Sequence, residues 1–234
     1  MTAQLDAGTY VAHLREVGTL DDSPWPQDLV VALGSASTRR LGLGRNTPFG
    51  ALSVRDGIGV LSSSVVGASA MAVVTDVLSV LGVKRLLLVG RGGALSASPS
   101  GTRSGELVVA RGAYCDNGAS RAYGASGMVS CDPALTVSLP DVTRVVTTTV
   151  DSPLLVDERR VDELLRRGVE LIEMELAAAV VVARRSGVSV GGLFVVSDVR
   201  TPGRWMPGDP RLVEQRLTVA VELARAALRA QGHS

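Results

Sequence analysis

Aromatic side chains are scarce here: two Phe, two Trp and three Tyr make up 3% of 234 residues. Hydrophobic residues still reach 46%, so Val, Leu and Ala must fill any core. There are only two cysteines, Cys115 and Cys131, and their spacing is not that of metal ligands. That favours a reduced, cytoplasmic setting over a disulfide scaffold and offers no metal site. Charge of one sign is missing too. A formal net charge of +1 argues against nucleic-acid binding by bulk electrostatics. No basic segment followed by an apolar core opens the chain, so no signal peptide is expected. No apolar run is long enough to span a bilayer. Internal repeats and low-complexity linkers are absent as well. The length suits one α/β domain over residues 1–234, with residues 1–27 as a polar lead-in closing at Ser23-Pro24-Trp25-Pro26.

What is present centres on Arg85-Leu86-Leu87-Leu88-Val89-Gly90-Arg91-Gly92-Gly93-Ala94-Leu95. The unbroken apolar run Leu86–Val89 predicts a strand buried on both faces, as in parallel sheets covered by helices. Its break into Gly-Arg-Gly-Gly predicts a sharp turn where a ligand can approach the main chain. In open α/β sheets that end of a central strand is where ligands bind. Arg91 adds a fixed positive charge suited to an oxyanion. A tight turn with a solvated arginine is the plainer alternative.

In chain order, a short helix is expected near Tyr10–Val17 and a strand at Leu29–Leu33, ending in Gly34-Ser35-Ala36-Ser37. Arg39, Arg40 and Arg45 follow in a glycine-rich loop. Ala51–Val54 and Ile58–Ser62 flank Arg55-Asp56-Gly57, a hairpin signal. Ala68–Leu81 is apolar nearly all round and stops at Gly82, which predicts a buried helix. With the strands on either side it makes a parallel βαβ unit. Strands are further expected at Glu106–Ala110, Arg144–Val150, Glu170–Glu173 and Leu193–Val196. Helices are expected at Val156–Arg167 and Met174–Arg185, and a last one opens at Asp209-Pro210 as N-cap and first-turn proline. The loop Thr201–Gly208 holds Trp205. The fold class is therefore α/β, a single domain with a mixed central β-sheet flanked by helices.

Two further stretches carry chemistry. Glu173-Met174-Glu175 sets carboxylates at the start of an Ala- and Val-rich helix. Such carboxylates either serve the helix dipole or accept hydrogen bonds from ligand hydroxyls, with Met174 as an adaptable apolar surface. Ser197-Asp198 closes an apolar strand; the acid can deliver a proton to a leaving group or cap the next turn. Arg211 and Arg216 on the last helix can pair with it or lie on an exposed face.

In this order and spacing, residues from about Leu29 to Leu228 resemble the nucleoside phosphorylase and nucleosidase superfamily, which includes purine nucleoside and uridine phosphorylases. Gly90-Arg91-Gly92-Gly93-Ala94-Leu95 looks like its glycine loop. Asp116, Gly118, Ala119 and Ser120 resemble a uridine phosphorylase segment. Glu173-Met174-Glu175 looks like its ribose motif, and Val196-Ser197-Asp198 like the strand end carrying the catalytic aspartate of purine enzymes.

The resemblance implies that Glu175 binds the ribose hydroxyls, Met174 lies against the sugar and Asp198 protonates the base. It implies a phosphate site at Gly34, Arg45 and Arg91, with Arg45 reaching a neighbouring subunit, and a base pocket at Thr149, Asp151, Ser197 and Arg211. The implied activity is cleavage of a nucleoside's N-glycosidic bond with inorganic phosphate as co-substrate and no cofactor. The implied assembly is a homo-oligomer, dimer or hexamer. A hydrolytic nucleosidase and a degenerate nucleoside binder are the alternatives. The chain also departs from the pattern. Leu88 stands where phosphorylases carry an arginine, and Thr38 where another is expected, with Arg39 adjacent. Pro153 or Leu154 replaces the base-stacking aromatic. Ser35 and Ser37 occupy the loop that holds the nucleosidases' water-activating glutamate. Arg91 is the candidate replacement for the missing arginine, aided by Arg39 or Arg45.

Overall fold

Local sequence signals account for most elements of the computed structural model, which describes residues 5–34, 44–95, 101–139, 142–201 and 203–231. Helix α1 (Ala7–Glu16) opens where the Asp6 side chain accepts the Thr9 N–H at 2.7 Å. Strand β1 (Asp28–Leu33) follows, then β2 (Arg45–Thr47), β3 (Gly50–Arg55) and β4 (Ile58–Ser63). The β3–β4 turn takes positive φ at both Asp56 (54°) and Gly57 (78°), as a two-residue hairpin loop requires. Helix α2 (Ala68–Val80) leads through Gly82, whose φ is 96°, into β5 (Arg85–Leu95). Next come β6 (Leu107–Asp116), α3 (Gly118–Ala122), β7 (Met128–Ser130), α4 (Pro133–Ser138) and β8 (Thr143–Val150). A single 3-10 turn (Pro153–Leu155) precedes α5 (Glu158–Arg166) and β9 (Leu171–Glu173). Helix α6 (Leu176–Ser186), β10 (Ser189–Thr201), β11 (Arg204–Pro207) and α7 (Pro210–Gln231) complete the chain.

The expected α/β class with a mixed sheet holds, and the topology adds a feature that periodicity does not show. Strands β5, β10, β6, β8 and β9 pair in that order, and β9 pairs back to β5, so five strands close a ring. From β5 the sheet also continues outward through β1, β4, β3 and β2. The βαβ unit is parallel as expected, but β4 and β5 are not neighbours: β1 lies between them and pairs with both. The central strands are buried on both faces, and successive residues join different cores. Leu86 and Leu88 join the core under α2 and α6, whereas Leu87 and Val89 join the core under α7. On α7 the stripe Val213, Leu217, Ala220, Ala224 and Leu228 is buried, which is what covers that face. The lead-in packs onto the domain, with Val11, Leu14, Leu20 and Trp25 in the first of these cores. Cys115 and Cys131 are buried free thiols, and burial pushes that of Cys131 up to about 12.

The turn expected after Val89 does not form. Strand β5 runs straight through Gly90, Gly92 and Gly93 to Leu95. The glycines are there for close approach, not for turning. A Cβ on Gly92 would meet Leu171 Cδ2 at 2.6 Å, and one on Gly93 would meet Asp198 Oδ2 at 2.8 Å. Their missing side chains let β9 and β10 close on β5 from both sides, since Gly93 pairs with Ile172 on one and Asp198 on the other. Likewise the last strand is longer than Leu193–Val196, and Trp205 sits in β11, a strand hairpinned onto β10 rather than an irregular loop.

Candidate active site

A cavity of about 290 Å³ opens at the carboxyl ends of β1 and β5. Gly92 and Gly93 line it together with Gly34, Arg91, Pro153, Met174, Glu175, Ser197, Asp198 and Arg200. The two strands that flank the glycines bring the two carboxylates together: β9 delivers Glu175 just past its end, and β10 delivers Asp198.

On the β9 side the chain is held by Glu173, which is fully buried. Its Oε2 accepts the N–H groups of Glu175 and Leu176, both at 2.7 Å. Its Oε1 accepts from Thr149 Oγ1 and, at 3.4 Å, Thr147 Oγ1. Thr149 in turn accepts the Ala177 N–H at 2.8 Å, so three orphan donors at the start of α6 are satisfied from inside. Burial first, then the Glu175 charge, pushes the Glu173 carboxyl up to about 7. The Glu175 carboxylate turns towards the cavity, where its Oε1 accepts the Gly67 N–H at 2.7 Å at the head of α2. Burial raises its pKa too, and the Gly67 donor opposes the rise.

On the β10 side the pairing register slips between Val196 and Asp198, leaving Ser197 as the extra residue of a bulge. Bulges of this kind re-aim side chains beside functional sites. Asp198 Oδ1 lies 2.6 Å from Ser197 Oγ, and Oδ2 accepts the Trp205 indole N–H at 2.8 Å. Ser197 Oγ is also 3.2 Å from the Gly92 carbonyl, so its single hydrogen has two acceptors to choose between. Replacing Gly93 by Ala should push the Asp198 carboxylate aside while the fold stays intact. Thermal unfolding within a few degrees of wild type, combined with an Asp198 carboxylate displaced from Ser197 and Trp205 in the variant's crystal structure, is the expected result.

Of the residues singled out from the sequence, Gly34, Arg91, Met174, Glu175, Ser197 and Asp198 meet in this cavity. Glu173 and Pro153 line it as well, and the remaining ones are placed elsewhere. Thr149 is buried in the core, where it braces Glu173 instead of lining a base pocket. Asp151 is exposed and accepts the Gly118 N–H at 2.9 Å. Arg211 lies in the first turn of α7, its N–H donated to Asp209 at 2.8 Å. Arg45 is ion-paired with Asp21 and lies over the Trp25 ring at 5.4 Å, outside the cavity of its own chain. The Gly34 N–H donates to the Ser63 carbonyl at 3.2 Å. Ser35, Ser37, Thr38 and Arg39 lie outside the described residues. Leu88 is fully buried in the core. Pro153 lines the cavity, whereas Leu154 is 90% exposed on a neighbouring groove.

Three contacts that shape the site escape the sequence reading. Arg200 reaches across to donate to the carbonyls of Val156 at 2.8 Å and Pro153 at 2.6 Å, tying the 3-10 turn over the site. Its signal was the i, i+2 spacing from Asp198, which puts both on one face once the strand is known to continue. Trp205 fixes Asp198, and Glu214 on α7 pairs with Arg91, Nη2 to Oε2 at 2.7 Å. Neither has a local signal. Among the described residues no helix is long and apolar enough to cross a membrane.

Known structures share this architecture. Uridine phosphorylase from Vibrio fischeri ES114 superposes with a TM-score of 0.71 at 20% identity, covering 89% of this chain and 94% of that one. Purine nucleoside phosphorylase from Toxoplasma gondii in complex with immucillin-H gives a TM-score of 0.72 at 17% identity, covering 91% and 95%. At these identities the likeness is one of fold. Comparison with curated protein sequences finds no match. The model of the phosphorylase superfamily matches residues 36–230, from just past β1 to the end of α7. The chain belongs to the phosphorylase superfamily.

Proposed function

We propose that this protein cleaves the N-glycosidic bond of a nucleoside, with inorganic phosphate as the acceptor of the sugar. The observation that carries the reading is the meeting of Glu175 and Asp198 in one cavity, from strands on either side of the β5 glycines. Glu175 accepts hydrogen bonds from the ribose hydroxyls, and Met174 packs on the sugar. As the bond from the anomeric carbon to the base nitrogen breaks, positive charge spreads over the sugar and negative charge over the base. Asp198, carrying a proton, transfers it to the base nitrogen. Ser197 suits that task because its hydrogen can swing to the Gly92 carbonyl while its oxygen accepts from the protonated acid. A phosphate oxygen then bonds to the anomeric carbon, and Asp198 is reprotonated from solvent. Arg91 stands beside Gly34 as the cation for that phosphate. The reading includes a homo-oligomer in the cytoplasm, with Arg45 serving a neighbouring subunit's site.

One observation favours hydrolysis as a second reading: Arg91 is already engaged by Glu214. Incubation with a panel of nucleosides, with and without phosphate, separates the two. Sugar 1-phosphate formed only with phosphate supports phosphorolysis. Free sugar formed at a phosphate-independent rate supports hydrolysis. No base release from any nucleoside would sink both.

Glu175 provides a test that does not need turnover. Removing a charged acceptor from ligand hydroxyls should weaken nucleoside binding by about 1.5–3 kcal/mol. Calorimetric titration of a folded Glu175→Ala variant that matches wild type would remove Glu175 from the ribose site.

A further inference from the structure

We infer that Glu214 sets which acceptor the site takes, because its carboxylate holds the arginine that an incoming phosphate needs. This rests on the glycosidic-bond reading above and concerns a residue that does not line the cavity. Arg91 projects from the glycine segment of β5 so that its guanidinium atoms come within 3.9–4.0 Å of where a Gly34 Cβ would stand. It is 45% exposed and Glu214 27%, so the pair sits at the water boundary of the site. Glu214 uses Oε2 for Arg91, and its buried Oε1 has no hydrogen-bond partner among the described residues.

Charge decides the consequence. An arginine bound to a carboxylate presents a pair of nearly zero net charge. Phosphate approaching it meets the Glu214 carboxylate as well as the guanidinium, and like charges at such range repel. Water carries no charge and meets no such penalty. Among the described residues the other arginine lining the cavity is Arg200, which keeps its charge but cannot swing towards Gly34 without releasing the Val156 and Pro153 carbonyls that tie down the 3-10 turn. Phosphate must therefore displace Glu214 from Arg91, and the strength of that pair sets the phosphate concentration at which phosphorolysis overtakes hydrolysis. Glu214 acts here as a positioning residue. It touches neither substrate nor reacting atoms.

Titration calorimetry with inorganic phosphate on the unliganded protein tests this without turnover, so it stands apart from the question of which nucleoside is cleaved. Glu214→Gln should tighten phosphate binding about fivefold, the size of a partly exposed ion pair, with less change in nucleoside affinity. In an Arg91→Gln background the same substitution should give a clearly smaller gain, because only the carboxylate's direct repulsion of phosphate is then removed and no arginine is set free. Glu214→Ala should reproduce the gain, which covers the case in which glutamine is tolerated poorly. Where turnover is measured, the ratio of sugar 1-phosphate to free sugar should rise with either variant. A phosphate affinity within twofold of wild type in a folded Glu214 variant, or an equal gain in the Arg91→Gln background, would overturn the inference. Absence of base release from every nucleoside would instead overturn the underlying reading and leave the phosphate titration to stand on its own.

Discussion

Asp198→Asn should lower the rate of base release by about 10²–10⁴-fold for nucleosides whose base must be protonated, the usual contribution of a general acid. Asparagine has the same shape, and the surroundings can accept it. Its oxygen can take the Trp205 indole N–H, and its amide can donate to Ser197 Oγ, whose hydrogen then turns to the Gly92 carbonyl. The loss should thus be chemical, with nucleoside affinity kept. A riboside whose leaving group departs as a stable anion, such as nitrophenolate, should lose less than tenfold. Equal losses for both substrates would show that Asp198 is needed for geometry alone. A rate within about tenfold of wild type for the natural bases would assign protonation to another group.

Glu173 should govern stability more than any other single carboxylate here, and in a pH-dependent way. Glu173→Ala leaves the N–H groups of Glu175 and Leu176 buried without an acceptor, at a cost of about 1–3 kcal/mol for each such group. Glu173→Gln is the more informative variant. In the folded protein the carboxyl is pushed up to about 7 from an ordinary 4.5. Between those values the folded state binds a proton that the unfolded state has released. The stability this contributes is fully present below 4.5 and is lost as pH rises through about 7. The loss is on the order of 3 kcal/mol. Glutamine stays neutral, can turn its oxygen to the two N–H groups and can donate to Thr149. Urea unfolding from pH 5 to 8 should therefore show wild type falling relative to Glu173→Gln, with the curves crossing or converging at the acid end. Parallel curves would place the Glu173 pKa near its ordinary value.

Much of this protein was legible from residues taken locally. The apolar run Leu86–Val89, the Arg55-Asp56-Gly57 hairpin and the Asp209-Pro210 helix start act through neighbours in the chain, so their signals survive without a structure. The Glu173-Met174-Glu175 and Ser197-Asp198 stretches were legible for a different reason. Carboxylates beside apolar elements are costly without partners, which marks them for attention before the partners are known.

Position across the sheet was not legible. Thr149 looks like a pocket residue in the sequence, yet its hydroxyl is spent on Glu173 and Ala177, because β8 pairs with β9 and places Thr149 opposite Glu173. The role of the β5 glycines was misread for the same kind of reason. From the sequence a glycine reports freedom to turn or room for close approach, but not which segment comes close. That Gly93 exists to admit Asp198 depends on where β10 lies and on the bulge at Ser197.

The sequence by itself determined the class of fold, most of the longer strands and helices and the two carboxylate stretches, whereas β2, α3, β7, α4 and β11 went unread. Periodicity, caps and the cost of burying charge are properties of short stretches. Only the tertiary structure decided that the strands close a ring around β5, that Arg200 ties the 3-10 turn and that Arg91 meets Glu214, 123 residues away. Those contacts come from chain segments whose separation no local pattern encodes, and their energies depend on distances of a few ångströms that packing alone sets.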